Sequence, residues 1–207
     1  MSKDFFSKEE FKQRWDKVRS SMKKFNIELL MVISPTNINY LIGTPAKGYQ
    51  EFEVLFFPID SDPIIMMTRR SEVEMMNEHS LADEVHGWGG QEPEDPIDAT
   101  HKLMEEKKLL KKRIGIEVPY YYLHPFEYNK INEILGDSIV HISTDLIGEI
   151  KLLKSETELK YVRKASEIAD ISFNAGLKTI KPGISEREIS ATIHYEMFMN
   201  GGDIPSS

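Results

Sequence analysis

The fold class this sequence predicts is an α/β domain, a mixed β-sheet flanked by helices, and three observations carry that reading. Short apolar runs alternate with helix-forming segments through residue 149. The first run, Leu29-Leu30-Met31-Val32-Ile33, is continuous rather than alternating, which marks a strand covered on both faces. The segments between strands open on capping signals, the first being Ser7-Lys8-Glu9-Glu10.

The helix that starts after Ser7 places Phe11, Trp15, Val18, Met22 and Phe25 on one face at three- and four-residue spacing. Beyond the Leu29–Ile33 strand, Ser34-Pro35-Thr36-Asn37 opens a short helix that runs through Tyr40 and ends at Gly43. A loop around Pro45 and Gly48 then leads to a strand over Phe52–Phe57. Further strands are expected at Ile64–Thr68, Glu84–His86, Ile114–Val118 and Ile139–Ile142. Helices over Ser71–Glu78, Ile97–Leu110 and Pro125–Leu135 separate them. No internal repeat or low-complexity tract interrupts the series.

From Lys154 onward the pattern changes. Ser155-Glu156-Thr157-Glu158 is a capping box for a helix whose stripe of Leu159, Val162, Ala165, Ile168, Ala169 and Phe173 is expected to be buried. Lys181-Pro182-Gly183 breaks it, because proline has no amide to donate. A second box, Ser185-Glu186-Arg187-Glu188, opens a helix with Ile189, Ile193 and Met197 on its apolar side, ended by Gly201 and Gly202. Two antiparallel helices are the simplest product.

Composition sets the outer limits. The chain has 207 residues, 40% hydrophobic and 29% charged, enough for one domain and part of another. A formal net charge of -8 argues against a nucleic-acid partner. The cluster Lys107-Lys108-Leu109-Leu110-Lys111-Lys112-Arg113 reads as a solvated helix end. With no cysteine there is neither a disulfide nor a thiolate zinc site, which fits a reducing compartment. The N-terminus carries no signal-length apolar core, and no run approaches the ~18 apolar residues of a membrane span. We therefore expect a soluble cytoplasmic protein without membrane contact.

The six histidines (His79, His86, His101, His124, His141 and His194) are scattered, with no His-Glu-x-x-His or His-x-His spacing. His194 is expected to pack beside the apolar stripe of its helix. Glu72 and Glu74 lie two residues apart and so do not share a helix face as an acid and base pair would. Val85-His86-Gly87-Trp88-Gly89-Gly90 has a superficial likeness to a dinucleotide-binding turn, but Glu92, Glu94, Asp95 and Asp98 would repel a pyrophosphate and are better suited to capping the next helix. Tyr120-Tyr121-Tyr122 is expected to cover the sheet edge, and Met66-Met67 and Met75-Met76 to fill the core.

Several segments together resemble the creatinase, prolidase and aminopeptidase P family, metal-dependent hydrolases whose catalytic half has the pita-bread fold. They are Thr36-Asn37-Ile38-Asn39-Tyr40-Leu41-Ile42-Gly43, Ile150-Lys151-Leu152-Leu153-Lys154-Ser155 with Glu158-Leu159, Arg163-Lys164-Ala165, Ile180-Lys181-Pro182-Gly183 with Ser185-Glu186, and Gly201-Gly202-Asp203-Ile204-Pro205. The resemblance implies a creatinase-like N-terminal domain over residues 1–149, then at 150–207 the helical start of an incomplete α+β pita-bread domain. It also implies two aspartates, a histidine and two glutamates that hold a divalent metal pair (manganese, zinc, cobalt or iron) and come after the end of this chain. No residue here receives a catalytic or metal-ligand role from it, and the chain alone is expected to be inactive.

For the intact protein the resemblance implies a hydrolase acting on an Xaa-Pro peptide or a small amide-like metabolite. The alternatives are a relative acting on a cationic substrate, similar to ectoine hydrolase or the dimethylsulfoniopropionate lyases, and a pita-bread binding module without catalysis. Family members are usually homodimers in which the N-terminal domain of one subunit reaches the active-site mouth of the other. That makes Thr44–Phe52 and His86–Asp98 candidate substrate-selecting loops, with Tyr49, Glu51 and Trp88 as substrate-binding residues suited to a positive group. The other reading of the same three residues, local packing and a solvated carboxylate, stands beside it.

Overall fold

The computed structural model describes residues 3–44 and 51–203, which divide into two compact units, Met1–Leu152 and Leu153–Ser207. In the first unit, α1 (Lys8–Lys24), β1 (Leu29–Val32), α2 (Pro35–Ile42), β2 (Val54–Pro58), β3 (Ile65–Arg69) and α3 (Val73–His79) are followed by β4 (Glu84–Trp88), α4 (Pro96–Glu106), β5 (Ile114–Ile116), α5 (Pro125–Leu135), β6 (Ile139–Ile142) and α6 (Leu146–Lys151). The six strands form one sheet in the order β4-β3-β2-β1-β5-β6. β2 runs antiparallel to both its neighbours and every other pairing is parallel, so the sheet is mixed as expected.

Alternation along the strands feeds two separate cores. Leu29, Met31, Val54, Phe56, Ile65 and Met67 point to one face, where they meet Ile97 and Leu103 of α4 and Ile131 and Leu135 of α5. Leu30, Val32, Leu55, Phe57 and Met66 point to the other, against α1, α2, α3 and α6. Covered on both sides, the central strands lack polar positions, which is why they appear in the sequence as unbroken apolar runs. Met66, Met67 and Met76 are buried fillers, as expected.

Several boundaries moved. α4 stops at Glu106 rather than Leu110, because Lys108 takes φ 58° and the amides of Lys108 and Leu109 fold back to the carbonyls of Glu105 and Met104. This Schellman closure buries Leu109, so the basic cluster lies in the turn after the helix rather than on it. Phe25, placed on the buried face of the first helix, is instead the C-cap of α1 and is exposed, with its ring tilted over His141 at 4.1 Å. α6 had no separate signal in the mixed apolar and charged segment from Leu146 to Leu153.

β4 is two residues longer than expected, so His86, Gly87 and Trp88 belong to a strand and not to a loop. Gly87 allows this: a side chain there would sit 2.8 Å from the Cα of Arg70, where a short 3₁₀ turn (Arg70–Glu72) presses on the strand. Asp95 caps α4 by accepting from the amides of Ile97 and Asp98, as its acidic surroundings suggested.

The second unit holds α7 (Glu156–Thr179) and α8 (Glu186–Met199), and both capping boxes form, with Ser155 and Glu158, and Ser185 and Glu188, exchanging hydrogen bonds. Gly176 meets Ile189 and Ile193 while Gly202 approaches Ile168, so the helices are antiparallel. The buried stripe is not the expected one. Ile168, Ser172 and Gly176 form the covered face, whereas Val162 and Phe173 are exposed, as are Ala165 and Ala169. His194 is also exposed, its Nδ1 against the carbonyl of Ser190 one turn back.

Candidate functional site

All strands but β2 run in one direction, so the loops that follow them gather at one end of the sheet, together with the chain that enters β2. In open α/β sheets this carboxyl end is where binding loops collect. Glu51 and Trp88 both lie there. Tyr49 falls outside the described residues.

The best-built part of this rim surrounds Glu117, one residue beyond β5. Its side chain is 1% exposed. The carboxylate accepts from the amides of Ile33 and Ser34, each at 2.9 Å, and from the side-chain amide of Asn37 at 2.8 Å. Ser34 is the N-cap of α2 but makes no capping bond of its own, so Glu117 satisfies that helix start from a distant strand. Asn37 uses its other end to accept from Lys151 Nζ at 2.9 Å, which ties α6 into the same network. The expected Thr36–Gly43 motif thus has a structural job: Asn37 holds the carboxylate, Tyr40 packs in the core, Asn39 donates to the Thr44 carbonyl, and Gly43 closes the helix at φ 70°.

Burial pushes the Glu117 carboxyl up to about 7, outweighing the donors from Ser34, Asn37 and Ile33 and the nearby Lys151 charge. The unfolded chain would bind that proton near the ordinary value of 4.5, so between about 4.5 and about 7 the folded state holds more protons than the unfolded one. Stability contributed by this group is complete below that window and is lost as the pH rises through it. Chemical denaturation at pH 5 and pH 8 should show the wild-type chain losing on the order of 1–3 kcal/mol more than Glu117→Gln over that interval. Equal pH dependence in the two would refute the assignment.

The expected substrate residues are more engaged than their sequence context indicated. Glu51 forms an ion pair with Arg69 at 3.4 Å, both about half exposed, which offsets the negative charge offered to a ligand. Trp88 is half-buried against the core, and its indole N–H donates to the carbonyl of Phe52 at 3.0 Å. One step inward, buried Glu53 accepts from Thr68 at 2.7 Å, and burial, with Glu72 nearby, raises its carboxyl above the usual range. Beyond β4, the Gly89 amide donates to Glu94, while Arg70 donates to the carbonyls of Gly89 and Gly87. Tyr120 and Tyr121 do not cover the sheet edge: they are 95% and 87% exposed, and only Tyr122 packs on the core.

Glu117 was missed as a site residue, although its signal was present as a lone carboxylate in the run Ile114-Gly115-Ile116-Glu117-Val118. Among the described residues no group of three or more His, Asp or Glu side chains is placed to hold a metal ion, so the described residues do not fit a metal pair.

A profile of the Creatinase/Prolidase N-terminal domain matches residues 14–150. The chain belongs to the creatinase/prolidase family. Its similarity to an Xaa-Pro dipeptidase of Lactobacillus delbrueckii subsp. lactis is 28% identity over 93% of this chain and 51% of that protein. To the Xaa-Pro dipeptidase of Pyrococcus furiosus it is 25% identical over 94% of this chain and 51% of that protein. Among solved structures, the prolidase from Thermococcus sibiricus superposes with a TM-score of 0.75 at 25% identity, covering 93% of this chain and 50% of that one. The chain spans about half the length of the curated relatives it matches. No helix among the described residues is long and apolar enough to cross a membrane.

Proposed function

We propose that this chain is the N-terminal portion of an Xaa-Pro dipeptidase of the prolidase family. The observation that carries the reading is similarity to Xaa-Pro dipeptidases over more than nine-tenths of the chain, through both the sheet domain and the two helices that follow. In this reading the divalent metal pair is held outside these 207 residues, in keeping with the described residues, which supply no cluster for it. The substrate is a short peptide ending in proline, and the protein works as a homodimer in the cytoplasm. Loss of Glu51's free charge to Arg69 removes support from the cationic-substrate alternative.

A protein that joins this chain to a complete catalytic half should cleave an Xaa-Pro dipeptide and lose that activity on chelation. The 207-residue chain should do neither and should purify without stoichiometric metal. In the intact protein, Tyr49→Ala and Glu51→Gln should change KM among Xaa-Pro dipeptides by roughly threefold to tenfold, worth about 1 kcal/mol, with kcat and thermal stability held. Trp88→Ala should lower stability as well, because it leaves the Phe52 carbonyl without its donor. Unchanged KM for every dipeptide with both Tyr49→Ala and Glu51→Gln would remove these two residues from the site.

A further inference from the structure

We propose that Glu117, Asn37 and Lys151 form a proton-controlled relay, in which proton uptake by the carboxylate turns the Asn37 amide over and breaks its bond to Lys151, the last residue of α6. The direction of each hydrogen bond carries the inference. Glu117 Oε2 accepts from the backbone amides of Ile33 and Ser34, which can only donate. A proton on the carboxyl must therefore sit on Oε1, the oxygen to which Asn37 Nδ2 donates at 2.8 Å. Two donors would then face each other in a site where Glu117 is 1% and Asn37 7% exposed. Buried groups left in that state are costly.

Half a turn of the side-chain amide removes the conflict, because Asn37 Oδ1 then accepts from the protonated carboxyl. The same rotation brings Nδ2 to the side where Oδ1 had accepted from Lys151 Nζ at 2.9 Å. An ammonium group has three donors and no acceptor, so this bond cannot survive the turn. The approach of Lys151 to the Thr36 carbonyl, at 3.4 Å, is too long to replace it in strength. Leu146 and Ile147 stay buried whichever way Asn37 points, so the loosening is confined to the last turn of α6, just before the second unit begins at Leu153.

The surroundings leave the relay to this pair of charges. Lys151 is the charge that acts on Glu117, while the acids of α6, Asp145 and Glu149, are exposed. β1, α2 and the Ser143-Thr144 segment carry no charged side chain, and Arg14 of α1 is held by Glu10 and the Tyr40 carbonyl. A carboxyl pushed up to about 7 places the switch between pH 5 and pH 8. Two quantities should then run in opposite directions across that interval. The stability that Glu117 gives the whole unit is complete below the window, whereas the hold of Asn37 on Lys151 is complete above it. A network without a moving part would loosen α6 only as the whole unit loosens.

Nuclear magnetic resonance of the full 207-residue chain between pH 5 and pH 8 tests the relay. As the Glu117 carboxyl titrates, the side-chain signals of Asn37 and Lys151 should shift with the same midpoint. Hydrogen-exchange protection at residues 149–152 should fall roughly threefold to tenfold toward pH 5. Lys151→Met should raise the Glu117 midpoint by about half to one pH unit, the reciprocal of that loss. Glu117→Gln, whose amide donates to Asn37 as the protonated acid does, should hold the low-protection state at every pH. Should that variant fail to fold, the wild-type chain and Lys151→Met decide alone. Asn37 signals that do not move with Glu117, protection at 149–152 that rises toward pH 5, or a Glu117 midpoint that Lys151→Met leaves in place would each overturn the proposal.

Discussion

Glu117→Ala should destabilise the first unit by about 3–5 kcal/mol, enough to unfold much of it at ambient temperature. The substitution removes one acceptor and strands three donors: the amides of Ile33 and Ser34 and the side-chain amide of Asn37. Each orphaned group in a dry site costs about 1–3 kcal/mol. Loss of the buried side-chain volume adds to this. Lys151→Met should cost less, about 1 kcal/mol, because it takes a single donor from Asn37 and leaves the carboxylate's own bonds in place. Urea denaturation followed at the two tryptophans, Trp15 and Trp88, both in the first unit, reads these differences directly. A loss below ~1 kcal/mol for Glu117→Ala would mean that water replaces the carboxylate at no penalty, and the network would then not be the anchor described.

The consequence reaches beyond stability. α2 leads through Gly43 and Thr44 into the segment that carries Tyr49 and ends at Glu51, so whatever fixes the start of α2 also fixes where that segment begins. At its other end α2 is held by the Trp15 indole on the Leu41 carbonyl at 2.7 Å and by Arg14 on the Tyr40 carbonyl at 3.1 Å. A rigid helix, pinned at both ends and ending at a candidate substrate loop, is the usual way a scaffold positions a site. In the intact protein, milder substitutions at Asn37 should therefore affect KM before they affect folding.

How much of this was legible depended on whether a residue's role was local. Every central strand announced itself, because double-sided burial writes an unbroken apolar run, and the capping boxes at Ser155 and Ser185 formed as their four-residue patterns require. The end of α4 was illegible because no rule of composition places a lysine at φ 58°; the burial of Leu109 on the core decided it. β4 ran past its expected end because Gly87 looked like a loop glycine, whereas it is there to let Arg70's backbone come close. Glu117 was hidden for a related reason, since its partners lie 80 to 84 residues away along the chain. Of the candidate residues, Trp88 looked available only because its bond to the Phe52 carbonyl spans 36 positions.

The misplaced stripe on α7 yields the second large effect. Periodicity selects the largest apolar residues, so it favoured Val162 and Phe173, yet the face that meets α8 is the one with the smallest side chains, Ser172 and Gly176. Small residues let helix axes approach closely, and an added Cβ at Gly176 would stand 2.5 Å from Cγ1 of Ile193. Gly176→Leu should therefore force α8 outward, destabilising the helix pair by about 1–3 kcal/mol through overpacking, despite the nearly 1 kcal/mol that leucine gains over glycine in helix propensity. Phe173→Ser, on the exposed side, should change stability by no more than about 0.5 kcal/mol. Hydrogen exchange of the α8 amides separates the two outcomes: faster exchange in Gly176→Leu with little change in Phe173→Ser supports the small-residue face as the packing seam. The reverse order would mean that the larger apolar stripe is the one that holds the helices.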